Sequence, residues 1–377
     1  MKKHNNKKII VAMSGGVDSS VAAWILKKKG YQVEGIFMKN WEDNENNITK
    51  DFYDTKLVCK LLNIPLHKIN FSQEYWNNVF KPFINGYKKG ITPNPDIACN
   101  KKIKFKCLLK FAINNLRADY IATGHYVRCY KVKNNFFLLR GIDKIKDQSY
   151  FLYTLNNFQL SKSMFPIGYF KKKEIRLIAE KINLPVAKKK DSFGICFIGE
   201  KKFDKFISKY IYYKPGFIVD TKMNFIGIHK GLMYYTLGQR KGLKIGGIKK
   251  MINYPWYVIK KDFKNNYLIV SQNFYHPYLM SNGLIANKIN WINYNFIKNI
   301  SFCTAKIRYQ QKDIPCHIIK KKKILLVFFF YQLIAVSPGQ SIVFYYKEIC
   351  LGGGIIKKLI PYVQLITYKN INKIINY

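Results

Sequence analysis

One stretch near the start of the 377-residue chain narrows its possible folds more than any other: VAMSGGVDSSVAAW, residues 11–24. Ile9 to Met13 is an uninterrupted apolar run, as required of a strand buried on both faces of a parallel sheet. Val17 to Leu26 has the pattern of a helix, with Gly30 as its stop. Between them, Ser14, Gly15 and Gly16 permit a tight turn and a close approach of backbone to ligand. The free amide groups at the start of the helix attract an anion. A strand, a glycine turn and a helix therefore predict a phosphate site. The lysine of the Walker loop is missing, and so is the G-x-G-x-x-G spacing of dinucleotide folds. A Gly-Gly pair alone would be no more than a capped turn. The full string from Ser14 to Ser20 after a buried strand is far more specific.

The same alternation continues to about residue 200. YQVEGIFM (31–38) reads as a strand, DFYDTKLVCKLL (51–62) as a helix, and DYIATGH (119–125) as a buried strand with a glycine at its carboxyl end. This is the rhythm of an α/β fold with a doubly wound parallel sheet, where ligands sit beyond the carboxyl ends of the strands. Ser14–Asp18, Met38 and Gly124 fall at such ends and could line one nucleotide pocket. After residue 200 the pattern changes. FDKFISKYI (203–211) reads as a short helix, followed by Gly- and aromatic-rich short strands that include GLMYYTLGQRKGLKIGG (231–247). From about 280 the strands are short and separated by Gly, Asn and Pro, the pattern of a small β-barrel. The expected division is 1–200 for a catalytic domain, 201–279 for a small central α+β domain, and 280–377 for a C-terminal β-barrel domain.

The formal net charge is +44. That suits a polyanionic partner, with RNA the obvious candidate. The abundance of Lys, Asn, Ile, Tyr and Phe is also what an AT-rich coding bias produces, and both explanations stand. A 48% hydrophobic content excludes global disorder. The apolar run near the N-terminus is too short for a signal peptide. The longest greasy segment, Ile324 to Val336, has 13 residues, and a membrane span needs about 20. No membrane association is expected, and the chain reads as cytoplasmic. In that compartment its eight cysteines are mostly reduced. None forms a C-x-x-C pair, so no protein metal site is expected. The lysine triplets at 27–29, 171–173, 188–190 and 321–323 read as solvated faces.

Two cysteines stand in unusual settings. Cys99 lies in TPNPDIACNKKIKF (92–105), where two prolines and two asparagines make a rigid loop before a helix. Asp96 precedes it by three residues. Cys196 lies in KKKDSFGICFIGE (188–200), downstream of lysines that would lower a thiol's pKa. Cys59, Cys107, Cys129, Cys303, Cys316 and Cys350 read as small buried hydrophobes.

Together with residues 11–20, these segments resemble the bacterial and mitochondrial tRNA-specific 2-thiouridylases. Those enzymes belong to the PP-loop ATP pyrophosphatases, which cleave ATP between the α and β phosphates. The shared motifs run in order through almost the whole chain: VAMSGGVDSSVAAWILKKKGYQVEGIFMKNWED, PNPDIACNKKIKF, ATGHYVR, KDQSYFLYTL, DSFGICFIGE, YTLGQRKGL, AKIRYQQ, and SPGQSIVFY with CLGGG.

The resemblance implies a PP-loop domain, then a small central domain and a C-terminal barrel. It implies ATP-dependent 2-thiolation of the wobble uridine of tRNA, with Mg2+. The persulfide sulfur would come from a donor, either a sulfur-relay protein or a cysteine desulfurase. Cys196 matches the persulfide carrier and Cys99 the partner nucleophile, and the two would form a transient disulfide. Asp96 is a candidate acid/base. Asn94, Pro95 and Asp96 match the segment that meets the target base. Ala12, Met13, Ser14, Gly15, Gly16, Val17, Asp18, Ser19, Met38 and Gly124 match the ATP contacts, with Ser20 beside them and Asp18 near the metal. His125, Lys146, Asp147, Gln148, Arg308, Tyr309 and Gln340 match tRNA contacts. Phe193 departs from the family, which usually has Thr there.

Two other readings fit parts of the sequence. One is a PP-loop enzyme with another substrate, such as 4-thiouridine formation or the amidation of argininosuccinate synthetase. The paired cysteines argue against amidation. The other is a basic RNA-binding protein with a degenerate nucleotide fold, against which the intact SGGVDSS string and both cysteines argue.

Overall fold

The computed structural model describes residues 6–41, 45–191, 206–212, 214–246 and 254–361, with the stretch 45–49 described by its backbone alone. The chain begins with β1 (Lys8–Met13), α1 (Val17–Lys28), β2 (Gln32–Lys39), α2 (Glu45–Leu61) and β3 (Leu66–Asn70). It stays helical through α3 (Ser72–Tyr75), a π-type stretch (Trp76–Phe80) and α4 (Lys81–Lys88). After a loop come α5 (Pro95–Cys99), a second π-type stretch (Asn100–Leu108) and α6 (Leu109–Asn114). Then follow β4 (Tyr120–Ala122), β5 (Val127–Val132), β6 (Asn135–Arg140), α7 (Ser149–Leu152), α8 (Asn157–Ser161), β7 (Ser163–Met164) and α9 (Lys172–Lys181).

Among the described residues, the first sheet is parallel with the order β3-β2-β1-β4-β7. The continuous apolar run of β1 has a direct cause. Ile9, Val11 and Met13 pack with α1 and α9, while Ile10 and Ala12 pack against the helices of residues 72–114. Both faces are covered from Ile9 to Met13, so those positions are apolar; Lys8, half-buried at the strand's start, pairs with Glu34. The strand order reverses at β1. The chain passes from it to β2 and β3 on one side and later places β4 and β7 on the other. The carboxyl ends of β1 and β4 therefore flank a topological switch point, the usual ligand crevice of such sheets.

The central region holds β8 (Gly216–Val219), β9 (Phe225–His229), β10 (Tyr257–Asp262) and β11 (Tyr267–Ser271), in the order β10-β11-β8-β9. The stretch 231–246 was expected to contain strands. It instead forms a 3-10 turn (Leu232–Tyr234) followed by further turns. Gly231, Gly238 and Gly242 have positive φ, of 136°, 77° and 81°, the left-handed backbone that turns favour. Of the helix expected at 203–211, residues 203–205 lie outside the described residues, and 206–207 are helical.

Next come β12 (Met280–Trp291), β13 (Phe302–Lys306), β14 (Ile314–Lys320), β15 (Leu325–Ile334), β16 (Ser341–Tyr346) and β17 (Ile349–Pro361). They pair antiparallel in the order β12-β15-β14-β13-β16-β17, and β17 pairs back onto β12 to close a six-stranded barrel. The greasy segment at 324–336 supplies β15, whose Leu325, Val327 and Phe329 enter the barrel core. Among the described residues no helix is long and apolar enough to cross a membrane.

The first region and the barrel share structure. Hairpin β5–β6 extends the barrel sheet, with Leu139 opposite Ile349 and Leu138 opposite Cys350. The segment after β6 also plugs into the barrel. Tyr150 donates from its hydroxyl to the Ser341 carbonyl at 2.8 Å, and the Tyr153 and Ser341 hydroxyls meet at 3.1 Å. Asn290 donates to the Tyr153 carbonyl at 2.9 Å. These buried tyrosines bring apolar bulk and also satisfy their polar tips.

Candidate active site

The turn after β1 is built for close packing. Gly15 has φ +69°, and a Cβ there would lie 2.4 Å from the Asp51 carbonyl oxygen, so only glycine fits. The Ser14 amide donates to Ser19 Oγ at 3.2 Å, and Ser19 and Ser20 donate from Oγ to the Gly16 carbonyl at 3.2 and 2.8 Å. Ala12, Met13 and Val17 are the buried floor of this loop. Across the switch point, a Cβ on Gly124 would lie 2.8 Å from both the Asp18 carbonyl carbon and the Ser19 nitrogen. The two strand ends thus touch backbone to backbone. Met13 pairs with Phe37 in the ladder, which sets Met38 one residue beyond, at the carboxyl end of β2.

Asp18 is the hub of a charge network. Its Oδ1 accepts from the Tyr126 hydroxyl at 2.7 Å. Lys172 Nζ donates to Oδ1 at 2.8 Å and to Oδ2 at 2.9 Å. The same ammonium lies 2.7 Å from Asp191, which also pairs with Lys146 at 2.7 Å and Arg176 at 2.9 Å. Burial by itself would raise the Asp191 carboxyl; hydrogen bonds from Lys146 and Lys172 outweigh it and hold the group down to about 2. Burial, then the Asp18 charge, push the Tyr126 phenol upward, so it remains a donor. On the other side of the loop, Lys189 donates to the Gly15 carbonyl at 2.9 Å and to Asp51 at 2.8 Å, and pairs with Asp54.

These contacts correct the reading of two lysine triplets as solvated faces, each at its central residue. The central residue of 171–173 has a side chain only 10% exposed. The central residue of 188–190 grips the glycine turn, whereas Lys27, Lys28 and Lys29 are exposed as expected. Sequence reasoning also missed Tyr126 and Asp191. One local sign was available: Lys171, Lys172 and Lys173 open a helix, where the helix dipole favours anions. A run of cations there needs a partner from elsewhere.

Cys99 sits in different surroundings. Asn94 caps α5, its Oδ1 accepting from the amides of Asp96 and Ile97 at 3.1 Å each. Pro95 occupies the first turn, where its missing amide hydrogen is no loss. Asp96 lies in that turn and Cys99 at the helix end. The thiol is 1% exposed. Burial pushes it up to about 11; Lys104 opposes the shift and Asp96 adds to it. Phe105, in the same core cluster as Cys99, lies with its ring centroid 6.0 Å from that of His125, so Cys99 and the residue after Gly124 border one core. The chain leading to Asn94 rests on the barrel. The Thr92 amide donates to the Pro338 carbonyl at 3.2 Å, and a Cβ on Gly339 would come within 2.8 Å of Ile91 and Thr92. Gln340 is next in that brace. Cys196 and Phe193 lie outside the described residues.

The residues expected at tRNA fall into one neighbourhood, with different exposures. Lys146 is held on Asp191. Asp147 is buried and accepts from the Gly141 and Ser149 amides and the Ser149 hydroxyl, so it braces its own loop. Gln148 and Tyr126 exchange hydrogen bonds: the Tyr126 amide donates to Gln148 Oε1 at 2.9 Å, and the Gln148 amide donates to the Tyr126 carbonyl at 3.1 Å. Tyr309 packs on Phe151 with ring centroids 4.5 Å apart, and Arg308 donates to the Ala335 carbonyl at 2.6 Å. His125 is buried against Thr123 at 2.8 Å; burial, then the Lys104 charge, keep its imidazole well below the usual range. Among the described residues no three His, Cys, Asp or Glu side chains cluster as a metal site. Asp18 is the one carboxylate within the turn's own sequence, and a single carboxylate is the donor Mg2+ commonly takes from a protein alongside substrate phosphates.

The switch point, the glycine turn and the serine-lined helix start define an α/β domain of the PP-loop class, joined to a central β region and a closed barrel. Comparison with known proteins agrees. Residues 7–200 match a family model described as a tRNA methyl transferase HUP domain, 204–272 a tRNA methyl transferase PRC-barrel domain, and 281–356 an aminomethyltransferase beta-barrel domain. The tRNA-specific 2-thiouridylase MnmA of Buchnera aphidicola from Acyrthosiphon pisum is 58% identical, over 94% of this chain and 98% of the relative. That of Proteus mirabilis is 55% identical, over 95% and 99%. The chain belongs to the tRNA-specific 2-thiouridylase family.

Proposed function

We propose that this chain is a tRNA-uridine 2-sulfurtransferase. It uses ATP to adenylate the C2 oxygen of the wobble uridine, then exchanges that oxygen for sulfur, giving 2-thiouridine, AMP and pyrophosphate. One observation carries the reading: a complete PP-loop closed by Gly124, with the capped Asn94–Cys99 helix start, in a chain 58% identical to a 2-thiouridylase over nearly its whole length. The family models' descriptions speak of methyl transfer. A pyrophosphate cradle and a helix-end thiol serve ATP activation and sulfur transfer, and methyl transfer needs neither.

The residues divide the chemistry. The loop amides from Ser14 to Ser19 and the start of α1 receive the ATP phosphates, with Ala12, Met13, Met38 and Gly124 forming the floor and wall of the nucleotide site. Asp18 would hold Mg2+, which supplies charge neutralisation at the phosphates. A carbonyl oxygen is a poor leaving group, and adenylation makes it AMP, a good one. The base leaves the anticodon stack to reach the site, meeting Asn94, Pro95 and Asp96. The terminal sulfur of a Cys196 persulfide then attacks C2 and displaces AMP. Cys99 attacks Cys196 Sγ, forming the Cys99–Cys196 disulfide and leaving the transferred sulfur on the base. An external thiol resets the pair. Lys146, Gln148, Arg308, Tyr309, His125 and Gln340 serve the tRNA, with Asp147 ordering the loop that carries the first two. A sulfur-relay protein or cysteine desulfurase supplies the persulfide, and the setting is cytoplasmic. Matches to three family models at 7–200, 204–272 and 281–356 support the proposed division into 1–200, 201–279 and 280–377.

Incubating the protein with tRNA, ATP, Mg2+ and a persulfide donor, then analysing the wobble nucleoside by mass spectrometry, tests the proposal. Oxygen-for-sulfur exchange dependent on ATP is the expected result. An unchanged wobble uridine with a competent donor sinks it.

A further inference from the structure

Two thiols of the barrel touch each other. Cys303 on β13 lies directly opposite Cys316 on β14, with the sulfurs 3.7 Å apart. Cys316 is fully buried in the barrel core, and Cys303 packs half-buried against it. Each alone reads as a small hydrophobe; in contact they form a dithiol. The Ile318 amide donates to the Ser301 carbonyl at 2.8 Å. Bonded pairs alternate along an antiparallel ladder, so Cys303 and Cys316, two positions on, are again a bonded pair, with Cα atoms about 5.5 Å apart. A disulfide accepts about 4.4–6.8 Å. The backbone is therefore already placed for the bond. The sulfurs need to come about 1.7 Å closer, and the ladder keeps its register. Among the described residues no third His, Cys, Asp or Glu side chain joins them as a metal site, so the two sulfurs are left to each other.

The pair stands at the root of the loop 307–313, which joins β13 to β14 and carries Arg308 and Tyr309. The loop leans on other elements: Arg308 on the Ala335 carbonyl at 2.6 Å, Tyr309 on the Phe151 ring, and Asp313 on Arg140 at 2.5 Å. The ladder beneath it is short, with Phe302 to Ala305 facing Ile314 to His317. A bond between Cys303 and Cys316 would fasten covalently the hairpin that presents this loop.

We infer that Cys303 and Cys316 form a reversible dithiol–disulfide site, oxidised by small-molecule disulfides, that fixes the hairpin presenting Arg308 and Tyr309. The site stands on the geometry of the barrel; its effect on tRNA rests on the proposed function. Cys303 reacts first, since it alone of the two reaches solvent. Its thiolate attacks one sulfur of the small disulfide, and the other sulfur leaves as a thiolate with the electron pair of the broken bond. Cys316 then gives up its proton and attacks Cys303 Sγ, expelling the second small thiolate. Two protein thiols are oxidised by two electrons in all. One small disulfide is reduced to two thiols, which take up the two protons. In the resting pair the hydrogen bond with Cys303, then burial, push the Cys316 thiol up. Conversion of Cys303 to the mixed disulfide removes the first of these causes, so the order of attack is built into the pair.

To test this, the full-length protein is equilibrated in buffers of reduced and oxidised glutathione, quenched in acid, alkylated after denaturation and mapped by peptide mass spectrometry. A linked Cys303–Cys316 peptide is expected in the oxidising buffer and is lost again in the reducing one. Cys303→Ser is expected to leave Cys316 unlinked, and Cys303→Ala repeats the comparison should the serine variant fail to fold. tRNA affinity is then measured by filter binding for oxidised and reduced protein. Fixing the loop beforehand removes part of the cost of ordering its two side chains, so oxidised wild type is expected to bind tRNA about threefold tighter than reduced. Cys303→Ser, which keeps Cys99 and Cys196, is expected to show no redox dependence. Glutathione held on Cys303 without a protein link, or no reaction at all, overturns the site. A link that leaves tRNA affinity unchanged, or a redox dependence that persists in Cys303→Ser, overturns its role at the loop. Wild type that binds tRNA in neither state sinks the proposed function, while the linked peptide still upholds the dithiol site.

Discussion

Around Asp18 the carboxylate meets a phenol and an ammonium within 2.9 Å, and the ammonium has a second carboxylate at 2.7 Å. Around Cys99 the neighbours are mostly apolar: the thiol is 1% exposed, within the core that also holds Ile97, Ile103 and Phe105. Burial pushes it up to about 11, which leaves on the order of one molecule in ten thousand as thiolate at neutral pH. The loop is polar and set before any ligand arrives. The thiol is placed but held unreactive. This difference orders the chemistry. Under the proposed function, ATP meets a loop whose polar groups are already in place, whereas Cys99 must leave its apolar surroundings to form a thiolate. A thiol kept protonated until the activated base arrives is also protected from unproductive disulfides.

The sharpest way to break this contrast is to separate activation from sulfur transfer. Asp18→Ala is expected to lower tRNA-dependent pyrophosphate release by about 100- to 1,000-fold, the usual loss for a preorganised charge at a reacting centre. Cys99→Ser is expected to leave pyrophosphate release within about threefold while stopping 2-thiouridine formation. Pyrophosphate release and the wobble nucleoside are read in the same reaction. Loss of both activities in both variants would show that the two regions work as one unit.

A smaller effect sharpens the thiol side. Alkylation of Cys99 by iodoacetamide at pH 8, followed by peptide mass spectrometry, is expected to run about 100-fold slower in the folded protein than in the denatured chain, from the change in thiolate fraction alone. Adding tRNA and ATP is expected to raise the rate if substrate opens the site. A fast reaction without ligands would mean that the thiol is already exposed and ionised.

The two regions also differ in how far the sequence revealed them. The PP-loop was legible because its determinants are local: an apolar run covered on both faces, two turn glycines and a serine-rich helix start. Gly124 was placed correctly at a strand end for the same reason. The Asn94–Cys99 turn was legible through its prolines and its cap. Lys172 and Lys189 were not, because their partners lie 154 and 174 residues away in the chain. Within a triplet, a lysine that will be buried has the same local pattern as one that will be solvated. Hairpin β5–β6 gave no sign that it would join the barrel, since register with Ile349 and Cys350 is a tertiary fact. The stretch 231–246 was misread because Gly and aromatic residues are common to strands and to tight turns. Its three positive-φ glycines lie in turns, a backbone state that residue type alone does not reveal.

The smallest expected effect lies in the pH dependence of stability, where the two regions should fail at opposite ends. Asp191 is held down to about 2 from an ordinary 3.8. A depressed carboxyl binds fewer protons folded than unfolded, so its contribution is present above the unfolded value and is lost as pH falls from about 4 to about 2. Partial solvent exposure screens this pair network, and a contribution below about 1 kcal/mol is expected. Cys99 is pushed up to about 11 from an ordinary 9. A raised thiol stays neutral longer in the folded state, so its contribution is present below about 9 and is lost as pH rises toward 11. Two units correspond to about 2–3 kcal/mol at most. Cys59 and Cys129 rise to about 11 as well, and Cys350 to about 12, so total alkaline instability cannot be assigned to one thiol. The informative quantity is the difference between wild type and variant in urea denaturation across pH. Asp191→Asn should flatten the acid limb alone, and Cys99→Ser should reduce the loss between about pH 9 and 11 alone. If Cys99→Ser leaves the alkaline limb unchanged, Cys99 is not the buried, unreactive thiol that sets the sulfur side apart from the loop.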